Sequence, residues 1–186
     1  MEKAAPLFNK NGYAGTSLSD IMKVTGLAKG GVYGNFKNKD EIAAMTFEYS
    51  YNKMRTAIVL RLCECKNSTE KLYSILDFYS DFITNPPIEG GCPLLNTSVE
   101  ADDSFPFLKS RARAAQNEML DSLTRIFQSG KKQGEFKPDI QPQREAEMMY
   151  ALIEGAIIMA KINDNPQTLR RILGRIKEHI DKNLKN

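Results

Sequence analysis

The chain has 186 residues, 41% of them hydrophobic and 26% charged, with a formal net charge of +3. That composition can bury a sizeable core beneath a soluble surface, in one large helical domain or a small one joined to a larger one. Three cysteines with the single histidine His179 exclude a disulfide framework and argue against structural zinc; the longest apolar stretch, residues 148–160, contains Glu154 and is too short to cross a bilayer.

In chain order, a first helix is expected over residues 1–11. It should start near Ala4 or Ala5, because Pro6 is tolerated only in a first turn, and should pack Leu7 and Phe8 under the second and third helices. Residues 12–15 make the turn into Thr16. The next stretch, residues 16–41, organises the rest of the chain. Ser17 and Asp20 form a capping box, and Leu18, Ile21, Met22 and Val24 give the second helix its apolar side. Thr25-Gly26 stops it, since glycine accepts the positive φ of a sharp reversal, and Leu27 is expected to fill the angle. A third helix is predicted over residues 29–36, with Val32 and Phe36 facing inward, and Asn38 with Glu41 opens the one after. Helix, glycine turn, helix is the helix-turn-helix arrangement, whose second helix enters the major groove.

Ala4, Ala5, Leu7, Phe8, Gly12, Tyr13, Thr16, Ser17, Ile21, Gly26-Leu27, Lys29-Gly30, Val32-Tyr33, Phe36 and Lys37-Asn38-Lys39 are spaced as fixed landmarks. Together they resemble the DNA-binding domain of the tetracycline-repressor (TetR) family. The resemblance implies an all-α fold of about nine helices, with a helix-turn-helix domain over residues 1–45 and a ligand-binding and dimerisation domain over residues 46–186. It further implies a cytoplasmic homodimer on palindromic operator DNA, most simply a repressor released by a small apolar effector, with no cofactor and no catalysis. Lys29, Tyr33 and Lys39 take the place of the family's phosphate contacts. Thr16, Ser17, Gly30, Gly31 and Lys37 complete the expected DNA surface, and Asn35 is the candidate for a base edge, asparagine pairing well with adenine. Members of the family carry a further basic turn ahead of this point, so by that resemblance the chain looks short at its front.

The pattern is departed from in three places. Ala28 stands where Ser or Thr usually caps, at a cost of about 1 kcal/mol. Gly31 replaces a small side chain and Gly34 a larger one, so a loosely formed recognition helix is expected. Charge placement agrees with a DNA role. Residues 1–40 carry six lysines against three acids, whereas the other 146 residues hold 20 bases and 20 acids.

From Asp40 a long helix is predicted to about Lys66, with Ile42, Met45, Tyr49, Met54, Ile58 and Leu62 on its apolar side. Residues 67–70 cap the next helix, which carries Leu72, Ile75, Leu76, Tyr79, Phe82 and Ile83 and ends before Pro86-Pro87. A glycine-containing loop leads to a short helix from Pro93 to about Ala101. Asp102-Asp103-Ser104 is expected to cap a long helix reaching residues 129–130. The TetR resemblance implies a pocket here, with Tyr79, Phe82, Cys92, Asn96, Met119 and Phe127 as candidate lining, although their spacing suits a core equally well. Residues 143–161 are apolar on two sides, Met149, Ile153, Ile157 and Ala160 on one, Met148, Leu152, Gly155 and Met159 on the other. Residues 167–184 carry the stripe Leu169, Ile172, Leu173, Ile176 and Ile180. Two such helices pairing with their symmetry mates would form the four-helix dimer bundle that the TetR resemblance implies, which makes Met149, Ile153, Ile157, Leu169, Ile172, Leu173 and Ile176 the expected dimer contacts, the alternative being ordinary monomer core. The competing readings are a regulator that senses oxidants or electrophiles through Cys92, a helical adaptor that no longer binds DNA, and an enzyme. No Ser-His-Asp, metal or phosphate-loop pattern supports the last.

Overall fold

The computed structural model describes residues 1–186. Nine α-helices succeed one another: α1 (Ala5–Asn11), α2 (Leu18–Thr25), α3 (Lys29–Tyr33), α4 (Lys39–Leu62), α5 (Ser68–Ser80), α6 (Pro93–Ser104), α7 (Pro106–Lys132), α8 (Pro142–Ile162) and α9 (Pro166–His179), with one π-helical turn, Ile180–Leu184, after the last. Four of them open on proline, whose missing N–H costs nothing in a first turn. By packing, Met1–Arg55 and Pro86–Gln116 form one compact unit, and Thr56–Asn85 with Asn117–Asn186 form a second, so α4 and α7 each contribute to both.

In the first unit Ile21, Val32 and Ile42 are buried together, with Leu7, Phe8, Leu18, Met22 and Phe36 around them. A second cluster joins Ala43, Ala101 and Leu108 with Phe8, Tyr13, Phe105 and Phe107, so α6 and the start of α7 pack with the N-terminal helices. Long-range polar contacts reinforce this. Asn9 donates its amide to the carbonyls of Glu89 (3.0 Å) and Gly91 (2.9 Å), and Asn96 donates to Asn9 O (2.9 Å) and Gly90 O (3.0 Å). The Tyr51 hydroxyl donates to Ala115 O at 3.0 Å.

In the second unit α9 lies against both α8 and α5. The N-terminus of α5 is closed twice: Asn67 accepts from Glu70 N at 2.8 Å, and Glu135 accepts from the amides of Ser68 and Thr69, each at 2.9 Å, and from the Thr69 hydroxyl at 2.9 Å. Phe136 is buried beside Phe127, ring centroids 5.9 Å apart. Gly130 makes this possible, because a Cβ there would collide with the Phe136 ring and Ser68. The C-terminal residues are tied down by Lys137 N donating to Leu184 O at 2.8 Å.

Several predicted boundaries move. The third helix ends at Tyr33, not residue 36: the amides of Asn35 and Phe36 both return to Val32 O, so the chain turns after Gly34. Leu27 does not fill the inter-helix angle and is 42% exposed, since Val32 and Ile21 already close that space. Residues 102–104 belong to the end of α6 and do not cap α7, which Pro106 opens.

Burial pushes the Glu135 carboxyl up, but the Ser68 and Thr69 hydrogen bonds together hold it below its ordinary value of 4.5. A lowered folded-state pKa gives stability that is present above the unfolded value and lost as pH falls through the folded one. Glu135→Gln is expected to lower the unfolding free energy at pH 7 by about 1–2 kcal/mol. Urea titrations should show the gap from wild type closing as the pH drops below about 4.

Candidate nucleic-acid interface

The local chemistry of residues 16–41 builds the interface. Ser17 Oγ accepts from Asp20 N at 3.1 Å while Ser17 N donates to Asp20 Oδ2 at 2.9 Å, completing the capping box. The Ser17 hydroxyl also donates to Asp20 Oδ2 at 2.6 Å, and this bond, followed by the one from Ser17 N, holds the Asp20 carboxyl below the usual range. At the other end of α2, Gly26 takes φ 75° and its N–H donates to Met22 O at 2.9 Å. The Thr25 hydroxyl donates back to Ile21 O at 2.6 Å. After the turn, Ala28 supplies no side-chain cap, and α3 is only five residues long.

Within α3 only Val32 is buried, at 1% exposure, and it turns inward onto Ile21 and Ile42. Lys29, Gly30, Gly31, Tyr33 and, just beyond, Asn35 and Lys37 are exposed. The structure thus brings seven of the nine predicted DNA residues into one solvent-facing stretch around α3: these six and Lys39, which is half-buried. Ser17 is exposed at the start of α2. Thr16 departs from the prediction: it is fully buried, and its hydroxyl donates to Gly12 O at 2.6 Å. It shapes the turn and presents nothing to DNA. Asn35 is exposed, but its Nδ2 donates to Gly31 O at 2.7 Å, so a bidentate pairing with adenine requires that bond to be released. Glu41 accepts from Lys37 N at 2.6 Å and donates its own N–H to Asn38 Oδ1 at 2.9 Å, which fixes the entry to α4.

Tyr13 and Glu100 do not appear in the sequence-derived site. The Lys39 ammonium lies 4.2 Å from the centre of the Tyr13 ring, and Glu100, on α6, accepts from the backbone amides of Tyr13 and Ala14. Tyr13 stands in the sequence as one of the spaced landmarks, in the turn before α2, with no DNA role of its own assigned to it. Nothing local marks Glu100, 87 residues further on.

The candidate pocket residues are largely consumed by packing. Tyr79 and Phe82 pack in an aromatic cluster with Phe78, edge-on or tilted, with centroid separations of 5.1–5.7 Å. Phe127 is 1% and Met119 8% exposed. Cys92 is 1% exposed and its sulfur accepts from Leu95 N at 3.4 Å as the cap of α6, while the Asn96 amide is committed to Asn9 and Gly90. A cavity of about 20 Å³ beside Phe8, Asn9, Thr46, Thr97 and Glu100 has room for about one water.

The expected dimer contacts need a sharper correction. Met149, Ile153, Ile157, Leu169, Leu173 and Ile176 are 0–4% exposed within the single chain, so they are its own core and have almost no surface left to give a partner. Only Ile172 of the seven is half-exposed. The other side of α8 stays open, with Met148 at 37%, Leu152 at 42%, Met159 at 51% and Ile162 at 77%. No group of three or more His, Cys, Asp or Glu side chains is arranged to hold a metal ion, and no helix is long and apolar enough to cross a membrane.

Comparison with known proteins agrees with this geometry. Residues 1–45 match the model for bacterial regulatory proteins of the tetR family, and residues 68–176 match the tetracyclin repressor-like C-terminal domain. A TetR transcriptional regulator from Chloroflexus aurantiacus J-10-FL superposes with a TM-score of 0.95 at 35% identity, over 99% of this chain and 93% of that one. The transcriptional repressor DhaR of Mycobacterium sp. (strain GP1) is 22% identical over 93% of this chain and 86% of its own length. For the repressor NemR of Escherichia coli K12 the values are 26%, 92% and 86%. The chain belongs to the TetR family of helix-turn-helix, DNA-binding transcription regulators.

Proposed function

We propose that this regulator is a cytoplasmic homodimeric repressor, binding a palindromic operator through residues 1–45 and releasing it when residues 46–186 take up a small apolar effector. It works by binding and does no chemistry. The observation that carries the DNA half of this reading is the outward face of α3. One buried valine anchors the helix while Lys29, Gly30, Gly31, Tyr33 and Asn35 are left to solvent. Lys29, Tyr33, Lys37 and Lys39 meet phosphates, Ser17 adds the amides at the start of α2, and Asn35 reads a base edge.

The open stripe of α8 supports the dimer. Met148, Leu152, Gly155, Met159 and Ile162 recur at alternating spacings of four and three, the spacing of a seam between two helices. Two copies related by a two-fold axis cover it isologously. The resulting pair of α3 helices reads half-sites about 34–36 Å apart. α4 contributes to both compact units, so an effector that tilts it alters that separation. The shift available is the effector's preference between the two arrangements, about 1–3 kcal/mol.

Anisotropy titrations on a duplex selected by the protein from a random pool test the DNA contacts. Lys29→Ala should weaken binding to every sequence and reduce the salt slope by about 1 per contact. Asn35→Ala should keep the slope and relax preference at one base position, worth about 1–3 kcal/mol. An unchanged base preference removes Asn35 from the reading surface.

Sedimentation tests the dimer and separates the two faces of α8. Leu152→Asp or Met159→Asp should give folded monomers. Ile153→Asp buries an unpaired carboxylate in the chain's own core and should unfold it. A wild-type protein that sediments as a monomer at micromolar concentration removes both the dimer and the palindrome.

A further inference from the structure

Tyr13 sits in the turn between α1 and α2 and is held on every side. Its backbone N–H donates to Glu100 Oε2 at 2.7 Å, and that of Ala14 donates to Glu100 Oε1 at 2.9 Å, so both carboxylate oxygens grip the turn. Its ring makes edge contacts with Phe105 (4.6 Å) and Phe107 (5.4 Å), the residues that flank the corner between α6 and α7. Its hydroxyl donates to Asp40, a bond that, with burial and the Asp40 charge, pushes the phenol up to about 12 and keeps it protonated. The ring face that remains carries the Lys39 ammonium, 4.2 Å from its centre.

Glu100 reaches the turn only because residue 12 is glycine. Gly12 has φ +72°, and a Cβ there would stand 2.5–2.7 Å from the carboxylate of Glu100. Two demands at one position, the left-handed backbone and the missing side chain, mark the joint as a specific construction.

We propose that Tyr13 and Glu100 are positioning residues for DNA binding: Glu100 fixes the turn, the turn fixes the Tyr13 ring, and the ring holds Lys39 where it reaches a phosphate. The proposal rests on the reading of Lys39 as a phosphate contact. A lysine stem is long and flexible, and ordering it on DNA costs rotamer freedom that a pre-placed ammonium has already given up. A ring face attracts the charge without using any of its three N–H donors, so all three stay available for phosphate oxygens. The tyrosine hydroxyl meanwhile occupies Asp40, the acid next to Lys39 in the chain. Because Glu100 belongs to α6, a displacement of α6 passes to Lys39 through this turn without travelling along the backbone of α4.

The test is anisotropy on a duplex selected by the full-length wild-type protein, between about 50 and 200 mM salt, with a melting curve for each variant. Lys39→Ala should reduce the salt slope by about 1 per protomer. Tyr13→Leu should reduce it similarly and raise Kd about two- to fivefold, the fold-change a surface cation–π contact is worth. Tyr13→Phe keeps the ring and should keep the slope. Glu100→Gln preserves the side chain's shape but leaves one amide facing a donor; it should raise Kd, and it carries the test if Tyr13→Leu fails to fold. In combination with Lys39→Ala, neither Tyr13→Leu nor Glu100→Gln should add a further loss. Fully additive losses, or Tyr13 and Glu100 variants with wild-type slope and Kd beside a weakened Lys39→Ala, overturn the positioning role and leave the phosphate contact standing. A wild-type slope in Lys39→Ala overturns the phosphate contact and the proposal together.

Discussion

A helix of five residues has no stability of its own. Nucleating the first turn fixes several backbone angles for a single hydrogen bond, so isolated helices several times longer than α3 are marginal in water. In α3 two of the five residues are glycines, and the cap position is an alanine with no side-chain bond. What keeps it helical is tertiary: Val32, buried against Ile21 and Ile42, and the left-handed Gly26 that aims the chain into position. The exposed face of α3 therefore depends on Val32's place in a small apolar cluster and on the Gly26 turn. The glycines are not required by that packing, since a Cβ at Gly30 would meet nothing within 4 Å and one at Gly31 only ordinary contacts with Leu27.

Much of what is local in this fold was legible in the sequence, although the end of α3 and the start of α7 at Pro106 were not. Capping pairs such as Ser17 with Asp20 and Asn67 with Glu70 are written three residues apart, and Pro93 announces the start of α6 before any packing is considered. Helical period was legible too, but period fixes only the angles between side chains, never the direction in which a face points. α8 shows the consequence. Its two apolar stripes are equivalent as sequence, and the structure buries Met149, Ile153 and Ile157 while leaving Met148, Leu152 and Met159 open. Short polar side chains mislead for a related reason. Thr16 and Asn35 both satisfy a carbonyl four residues back, a local alternative that no motif distinguishes from a contact with a ligand.

The contacts least visible in the sequence are carboxylates that close backbone amides far along the chain. Glu100 takes the N–H groups of Tyr13 and Ala14, and Glu135 takes those of Ser68 and Thr69. Each answers a demand the local chain leaves open, because amides in a tight turn or a first helical turn have no partner of their own. Each also has a glycine clearing the space, Gly12 for the Glu100 carboxylate and Gly130 for Phe136, the residue next to Glu135. Neither the acid nor the glycine carries a periodic signal, so the pair is found only once the elements are assembled.

These joints explain why packing and role divide the chain differently. In the proposed reading, the DNA-contacting helices come first and the effector-binding helices after them. By packing, residues 86–116 share a unit with the first 55. Asn9 with Asn96, and Glu100 with the Tyr13 turn, make that unit a polar lattice as well as an apolar cluster. An apolar contact tolerates small sliding, since dispersion and burial change gradually with distance. A pair of charge-assisted hydrogen bonds weakens steeply with angle and length, so it transmits position where a greasy contact would absorb it. The link between α6 and the turn ahead of α2 is therefore made by a carboxylate, while Phe105 and Phe107 hold the Tyr13 ring of the same turn.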